Sequence, residues 1–220
     1  MKHHIEFDIE FLRNKYPGKL IALEGLDGSG KTTQVKILCD ELENRGHKVF
    51  CTKEPTDEPT GKFLRQALSK EIDVPPVAIQ YLYGADRAVH QIELVKYLKQ
   101  GYYAVTDRYF WSSVAYGMSD MNRVGDYSLV AFSMLSFYNR FIKPDVTFYL
   151  KVSPGIGEKR VEEMGKKKEI YENMKKLQKI IKGYDFLLRK FPKEFVVIDG
   201  EKTVQDVTEE ILNKLPKFPK

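Results

Sequence analysis

The chain has 220 residues, of which 42% are hydrophobic and 30% are charged, and its formal net charge is +5. This length supports one domain with a sizeable core, with or without a lid, and no apolar run reaches the roughly 18 residues of a membrane-spanning helix. The charged N-terminal segment lacks the apolar stretch of a signal peptide, and the lysine excess is modest and spread along the chain, so we expect a cytoplasmic protein without a membrane or nucleic-acid partner.

Strand-like and helix-like patterns alternate along the chain, which is typical of an α/β protein with a parallel sheet. The candidate strands are residues 20–24, 48–52, 103–106, 146–151 and 195–198. The candidate helices are residues 31–44, 60–69, 76–100, a segment near 112–116, and 127–141, 154–164, 169–190 and 204–215. We therefore predict a three-layer αβα fold with a five-stranded parallel sheet and a short helical lid.

Domain organisation follows from the same pattern. Residues 1–17 lie outside it and are predicted to form an N-terminal extension, either an extra helix or a loose arm. Residues 18–220 are predicted to form a single domain. Within that domain, the polar stretch at 165–168 between two candidate helices predicts a lid at about 164–170.

The first candidate strand ends at a glycine-rich loop. Residues 25–32 read GLDGSGKT, which satisfies the P-loop pattern G-x-x-x-x-G-K-[ST]. Glycines let such a loop turn its N–H groups inward, the lysine can reach the β- and γ-phosphates, and the threonine can bind Mg²⁺. The flanking strand and helix favour this interpretation over a chance glycine loop. The predicted ATP-binding residues here are Gly25, Leu26, Asp27, Gly28, Ser29, Gly30, Lys31, Thr32 and Thr33.

The two cysteines stand in different predicted elements. Cys39 falls in the first helix and Cys51 in the second strand, and neither has a metal-type spacing. We therefore predict two packing thiols rather than a disulfide or a nucleophile.

Two residues of the long helix at 76–100 suit a nucleotide. Tyr83 and Arg87 are four residues apart, so they share a helix face. A ring can stack on a base while a guanidinium holds a phosphate. On spacing alone, a core tyrosine beside a surface salt bridge is the simpler interpretation.

The third candidate strand leads into DRYFWSS, at the sheet edge where ligands bind in α/β folds. Asp107 can orient Mg²⁺ together with Thr32. Arg108 can bridge the donor γ-phosphate and an acceptor phosphate, because a guanidinium fork neutralises both anions. A helix-capping aspartate beside a surface arginine is the alternative.

Several strings together resemble thymidylate kinases, which are P-loop nucleoside-monophosphate kinases, over about residues 19–215. They are EGLDGSGKTTQ, KEPTDEPTGKFLR, YGADRAVH, DRYFWSSVAY, KPDVTFYLKVSP and VIDGEKTVQDV. The resemblance implies a P-loop NTPase fold and transfer of the γ-phosphoryl group of ATP, as its Mg²⁺ complex, to dTMP. It also implies a homodimer, for which the apolar residues 129–138 could supply the face, although an ordinary core helix explains them equally well.

The resemblance also implies roles for individual residues. Lys31, Arg108, Asp27 and Asp107 would be catalytic, and Thr32 and Asp107 would hold the metal. The implied acceptor-binding residues are Glu54, Pro55, Arg65, Tyr83, Arg87, Arg108, Ser112, Ser113 and Tyr116.

Two departures from the family pattern affect these expectations. Gly117 stands where relatives usually have glutamine, which removes an amide near the base and leaves strict thymine selectivity open. The lid reads GKKKE rather than carrying arginines, so lysines would act there as point charges, and Arg160 is the remaining arginine candidate at the ATP site.

Three alternatives stay open at this point. One is a kinase for another monophosphate or a nucleoside, and another is a P-loop regulator or nucleic-acid-binding ATPase. The third is a degenerate kinase that serves as a scaffold, against which the intact Lys31, Thr32, Asp107 and Arg108 argue.

Overall fold

The structure is a computed structural model that describes residues 6, 8–120, 127–163, 165 and 174–216. Its strands are β1 (Leu12–Arg13), β2 (Lys19–Gly25), β3 (Val49–Lys53), β4 (Tyr103–Asp107), β5 (Ile142–Lys143), β6 (Val146–Lys151) and β7 (Val196–Asp199). Its helices are α1 (Lys31–Asn44), α2 (Pro59–Leu68), α3 (Pro76–Lys99), α4 (Phe110–Asp120), α5 (Tyr127–Tyr138), α6 (Pro154–Glu163), α7 (Met174–Lys190) and α8 (Val204–Lys214), with a 3₁₀ helix at Pro192–Glu194.

Strand β2 occupies the centre of a parallel sheet. The order over the described residues is β3-β4-β2-β6-β7, and each neighbouring pair is parallel. Every residue of β2 from Leu20 to Gly25 is buried, because helices cover both faces of the sheet. The predicted α/β fold with a five-stranded parallel sheet is confirmed.

Alternate residues of β2 enter two hydrophobic cores on opposite faces of the sheet. Leu20 and Ala22 pack with residues of α2, α3, α4, α5 and α7. Ile21 and Leu23 pack with residues of α1 and α8 on the other face. With both faces covered, the carboxyl ends of the strands remain open, and the register places the ends of β3 and β4 side by side at Lys53 and Asp107.

The described part of the N-terminal extension is neither a helix nor a loose arm. Strand β1 pairs in parallel with β5, and Asn14 donates to Asp145 and to the carbonyl oxygen of Gly18, at 2.8 Å in each case. The Phe11 ring lies 5.6 Å from the Trp111 ring, within an aromatic cluster of the larger core. The extension therefore packs against the start of α4.

The prediction of two packing thiols is wrong. Cys39 on α1 and Cys51 on β3 form a disulfide, with their Cα atoms 6.3 Å apart. Helix α1 packs directly on β3, so the two side chains face each other across that contact. A spacing of 12 residues in the sequence does not reveal this juxtaposition.

Most predicted element bounds are close to those observed. Helix α5 ends at Tyr138 instead of 141, because the chain then enters β5, a strand that was not predicted. Apart from Gly165, the predicted lid at 164–170 lies outside the described residues, as does the predicted helix start at 169. No helix in the described part of the chain is both long enough and apolar enough to cross a membrane.

Candidate active site

The P-loop connects β2 to α1 through a left-handed backbone at Gly28 (φ 76°) and Gly30 (φ 93°). At Gly28, a Cβ atom would also meet the carbonyl oxygen of Gly157 at 2.2 Å, so a larger residue would require backbone movement. Helix α1 begins at Lys31, directly after the loop. Its first-turn N–H groups have no carbonyl partner within the helix, which makes them available to an anion.

The Lys31 side chain is buried and donates to the carbonyl oxygen of Leu26 at 2.6 Å. Burial, together with the charge of Arg108, lowers the pKa of Lys31 to about 8, although Asp107 and Asp27 oppose the shift. A phosphate would supply the negative charge that this buried cation lacks.

A cleft of about 450 Å³ opens beside the P-loop at the carboxyl ends of the strands. We call it the main cleft. Among the predicted site residues, its lining includes Asp27, Gly28, Gly30, Lys31, Thr32, Thr33, Glu54, Pro55, Arg65, Tyr83, Asp107, Arg108 and Tyr116.

Thr32 and Asp107 meet at the P-loop side of the main cleft. The Thr32 hydroxyl donates to Asp107 Oδ2, and the buried Oδ1 atom of Asp107 has no hydrogen-bond partner within the described residues. A hydroxyl and a carboxylate oxygen are the hard ligands that Mg²⁺ prefers, and Mg²⁺ takes its remaining ligands from phosphates and water. The two residues therefore fit the predicted metal.

Arg108 lies at the middle of the site in a left-handed backbone conformation with φ 72°. Its guanidinium pairs with Asp27, and it also donates to Ser112 Oγ at 3.1 Å and to the Tyr116 hydroxyl at 3.0 Å. Burial alone would raise the pKa of Asp27, but Arg108 and Lys31 hold that pKa below its usual value. A left-handed non-glycine residue is strained by about 1–3 kcal/mol, and such strain clusters at functional sites.

A smaller space, the inner hollow, adjoins the main cleft. Its lining consists of Glu54, Tyr83, Arg87, Arg108, Ser112, Ser113 and Tyr116. Glu54, Tyr83, Arg108 and Tyr116 belong to both linings, so Arg108 is one of four residues that lie where the two spaces meet. The buried Ser113 hydroxyl has no hydrogen-bond partner in the part of the chain that the structure describes.

Arg87 is buried rather than part of a surface salt bridge. Its Nε donates to Glu54 at 2.8 Å, and His90 Nδ1 lies 2.9 Å from the other oxygen of the same carboxylate. The guanidinium also lies 4.8 Å from the centre of the Tyr138 ring. Its Nη1 is buried and has no hydrogen-bond partner among the described residues, so one donor remains available at the inner hollow.

Two further arginines hold backbone carbonyls near the site. Arg65 on α2 donates to the carbonyl oxygens of Pro55 and Thr56 at 3.0 and 2.5 Å. Arg160 on α6 donates to the carbonyl oxygens of Gly200 and Gly28 at 2.8 and 3.4 Å. Arg65 lines the main cleft, whereas Arg160 contacts the P-loop through Gly28.

Comparison with known proteins identifies the family to which this chain belongs. A family model described as thymidylate kinase matches residues 23–211. A probable thymidylate kinase of Thermococcus kodakarensis is 35% identical over 87% of this chain and 94% of its own. One of Methanocaldococcus jannaschii is 34% identical over 90% of this chain and 96% of its own. The chain belongs to the thymidylate kinase family.

Gly117, the position where thymidylate kinases usually carry glutamine, lies at a close contact between helices. A Cβ atom there would meet Met134 Sδ of α5 at 2.4 Å and Gln80 Oε1 of α3 at 3.4 Å. Any side chain at this position would require Met134 to move. Glycine at position 117 therefore allows α5 to pack closely on α4.

Sequence reasoning did not identify two buried residues behind the site. Glu24 is the charged residue of the otherwise apolar run at the centre of the sheet, and Tyr184 lies on α7; both are fully buried. A carboxylate inside a central parallel strand is unusual, and that signal could have identified Glu24. Nothing in the local sequence distinguishes Tyr184 from an ordinary core tyrosine.

Proposed function

We propose that this chain transfers the γ-phosphoryl group of ATP to dTMP, giving dTDP and ADP. The observation that carries this proposal is the position of Arg108, between the P-loop side of the main cleft and the inner hollow. Two anions brought together at that point would repel each other, and a guanidinium reaches both.

The donor side is assigned to the P-loop. Its N–H groups and Lys31 bind the phosphates of ATP, and Thr32 and Asp107 hold Mg²⁺. When bound, Mg²⁺ supplies positive charge to the β- and γ-phosphates. Burial lowers the pKa of Lys31 to about 8, so a bound anion would stabilise the charged form of the lysine.

The acceptor side is assigned to the inner hollow and the adjacent wall of the main cleft. Arg108 binds the phosphate of dTMP, with Arg65 as a second cation from α2. The Tyr83 ring stacks on the base. The available donor of Arg87 and the hydroxyl of Ser113 meet polar groups of the base, because buried donors without partners are costly unless a ligand satisfies them.

The reaction needs no covalent enzyme intermediate and no strong base. The acceptor phosphate is already ionised, so the residues act by alignment and by charge neutralisation. Asp27 holds Arg108 and Tyr116 in place between the two proposed nucleotide sites, since both side chains donate to its carboxylate. The lysines of the predicted lid are proposed to add positive charge near the transferred phosphoryl group. The cytoplasmic location of the protein stays a prediction.

A homodimer is proposed to form through α3 and α5. The exposed apolar side chains Val77, Tyr81, Leu129 and Phe137 lie on these helices, and Val77, Tyr81 and Phe137 border a hollow of about 270 Å³. Other residues of α5, such as Leu135, are fully buried, so this helix serves both the core and an exposed apolar face. Light scattering on wild type and Tyr81→Glu tests the assignment, which predicts a dimer that the charge disrupts.

The function is tested with ATP and a panel of dTMP, dUMP, dCMP, dGMP and thymidine, with ADP and the phosphorylated product measured. We expect dTMP to give the highest kcat/KM. A stronger preference for another acceptor would contradict the substrate assignment. ATP hydrolysis that needs DNA and no monophosphate would contradict the kinase assignment itself.

A further inference from the structure

The carboxylate of Glu24 is fully buried at the centre of the sheet, close to the site but outside its linings. Its side chain is 0% exposed, and it borders neither the main cleft nor the inner hollow. Burying a carboxylate is costly unless several donors satisfy it. The identity of those donors indicates what Glu24 does.

One oxygen of Glu24 fixes the start of α4. Oε1 accepts hydrogen bonds from the backbone N–H groups of Tyr109 and Ser112, at 3.0 and 3.1 Å. Because α4 begins at Phe110, these N–H groups lie at the helix N-terminus, and the Ser112 N–H also reaches the carbonyl oxygen of Tyr109 at 3.2 Å. A carboxylate at a helix N-terminus is also favoured by the helix dipole. Glu24 therefore anchors the helix that carries Ser113 and Tyr116.

The other oxygen connects to Arg108. Oε2 accepts from the Ser112 hydroxyl and, at 3.2 Å, from the Tyr184 hydroxyl. The hydroxyl oxygens of Ser112 and Tyr184 are 3.0 Å apart, and Arg108 Nη1 donates to Ser112 Oγ at 3.1 Å. Hydrogen bonds thus run from Glu24 and Tyr184 through Ser112 to the guanidinium at the middle of the site.

Helix α7 is placed to take part in this network. At Gly183, a Cβ atom would meet the carbonyl oxygen of Ala115 at 2.8 Å, so glycine allows α7 to approach α4 closely. The next residue, Tyr184, then reaches Ser112 and Glu24. Its ring stacks on Tyr149 of β6 with centroids 4.6 Å apart, which holds the hydroxyl in position.

We propose that Glu24 and Tyr184 are positioning residues that act through Ser112 to keep the Arg108 guanidinium facing the acceptor phosphate. Neither residue lines the main cleft or the inner hollow. The proposal rests on the proposed function in one respect, namely that a monophosphate acceptor meets Arg108. It differs from a purely structural role because it predicts a larger effect on KM for the acceptor than on KM for ATP.

The titration of Glu24 supplies a second readout. Burial raises the pKa of Glu24 to about 7, against the opposing effects of its bond to Ser112 and the charges of Arg108 and Arg87. The groups that face it are Arg108 after β4, Arg87 on α3, Lys31 on α1, Tyr149 on β6 and Tyr184 on α7. Protonation would remove one acceptor position from a carboxylate that receives four hydrogen bonds, which weakens the hold on Arg108 below about pH 7.

The test compares wild type with Glu24→Gln and Tyr184→Phe. Tyr149→Phe is the matched control, because it removes another buried tyrosine hydroxyl that makes no hydrogen bond to Glu24 in the described structure. KM for dTMP, KM for ATP and kcat are measured, together with dTMP binding by calorimetry. We expect KM for dTMP to rise about tenfold in Glu24→Gln and about threefold in Tyr184→Phe, with KM for ATP changed less than about twofold.

The pH profile separates positioning from a structural effect. Wild-type kcat/KM for dTMP should rise through about pH 7, beyond the titration of the substrate phosphate at about pH 6, and Glu24→Gln should lack this additional rise. The substrate phosphate titrates in both proteins, so its titration cancels in the difference between the two profiles. Tyr149→Phe should match wild type in both readouts.

Specific results would overturn the proposal: an unchanged KM for dTMP, an equal rise in both KM values, or the same pH profile in Glu24→Gln as in wild type. If Glu24→Gln does not fold, Tyr184→Phe tests the proposal by the same comparison of KM for dTMP with KM for ATP. Failure of the proposed function would look different, because wild type itself would not phosphorylate dTMP. Calorimetry with dTMP would then still test the effect of both variants on binding.

Discussion

Two arginine–carboxylate pairs lie at the site, one at the inner hollow and one at the main cleft, and they differ in exposure. The side chains of Arg87 and Glu54 are 1% and 2% exposed, whereas those of Arg108 and Asp27 are 13% and 28% exposed. A fully buried pair cannot release a partner without leaving a charge uncompensated. A partly exposed pair can exchange contacts with an incoming anion. We infer that the first pair shapes the site and that the second takes part in the reaction.

The largest expected effect is the loss of turnover in Arg108→Ala. An arginine that stabilises a transferred phosphoryl group contributes about 10³-fold or more to kcat. We expect a loss of that size with little change in the free energy of unfolding, because this pair is partly exposed. Steady-state kinetics and urea unfolding measure the two quantities. Arg108→Lys, which keeps the charge but not the fork, should recover only part of the activity. Near-normal turnover in Arg108→Ala would remove Arg108 from the mechanism.

Arg87→Ala is expected to act mainly on the free energy of unfolding. Removing one partner of a buried ion pair costs about 3–5 kcal/mol of stability, since the other charge stays buried. Burial alone would raise the pKa of Glu54, and Arg87 and His90 now hold that pKa low, so the variant leaves this carboxylate without its main partner. Urea unfolding measures the loss. The double variant Arg87→Met with Glu54→Gln serves as the control and should recover much of the stability. If Arg87→Ala were as stable as wild type, the two pairs could not be distinguished in this way.

The disulfide supports the strand that leads to the buried pair. Cys39–Cys51 links α1, which starts at Lys31, to β3, which ends one residue before Glu54. Closing a loop of this length stabilises a protein by about 3 kcal/mol in the chain-entropy model. We expect the Cys39→Ser, Cys51→Ser variant to unfold at a lower temperature than wild type while keeping its kcat. Calorimetry of both proteins, with and without reductant, checks this, and an equal unfolding temperature in all four samples would contradict it.

The P-loop and the acceptor site differ in how far the sequence predicts them. The P-loop is a contiguous motif between a strand and a helix, so spacing and flanking pattern are sufficient to place it. The pairing of Arg87 with Glu54 crosses 33 positions and depends on how α3 packs against the end of β3. Both residues were predicted as site residues, but the spacing of Tyr83 and Arg87 indicated a surface salt bridge rather than a buried pair.

The residues behind Arg108 were less predictable still. Glu24 and Tyr184 are 160 positions apart and meet only because α7 packs closely on α4. The disulfide was missed for the same physical reason, since it depends on which faces of α1 and β3 meet. Contacts between elements are set by packing, and periodicity within one element does not contain that information.

Glu24 offers a further test of the comparison between the two pairs, because the charges of Arg108 and Arg87 both lower its pKa. Its pKa of about 7 lies above the ordinary value of 4.5, so its contribution to stability is fully present below about pH 4.5 and is lost as the pH rises through about 7. The stability of Glu24→Gln relative to wild type should therefore increase over this range, by at most about 3 kcal/mol. Urea unfolding of both proteins at several pH values measures the difference. A constant difference between the two proteins would show that the pKa of Glu24 is unshifted.

Arg160 extends the comparison to the P-loop, where ATP is proposed to bind. Its replacement has the smallest expected effect on the kinetics. Its Nη1 holds the carbonyl oxygens of Gly28 and Gly200 and so braces the P-loop from outside the main cleft. Losing such a hydrogen bond costs about 1 kcal/mol, which corresponds to about a fivefold change in an equilibrium constant. We expect Arg160→Gln to raise KM for ATP by about that factor and to leave KM for dTMP unchanged, because the acceptor-side arginines are untouched. Lys159→Gln, one residue earlier and strongly exposed, is the matched control and should behave as wild type. A rise in KM for dTMP instead would mean that α6 acts on the acceptor side, and the division of the arginines between donor and acceptor would have to be redrawn.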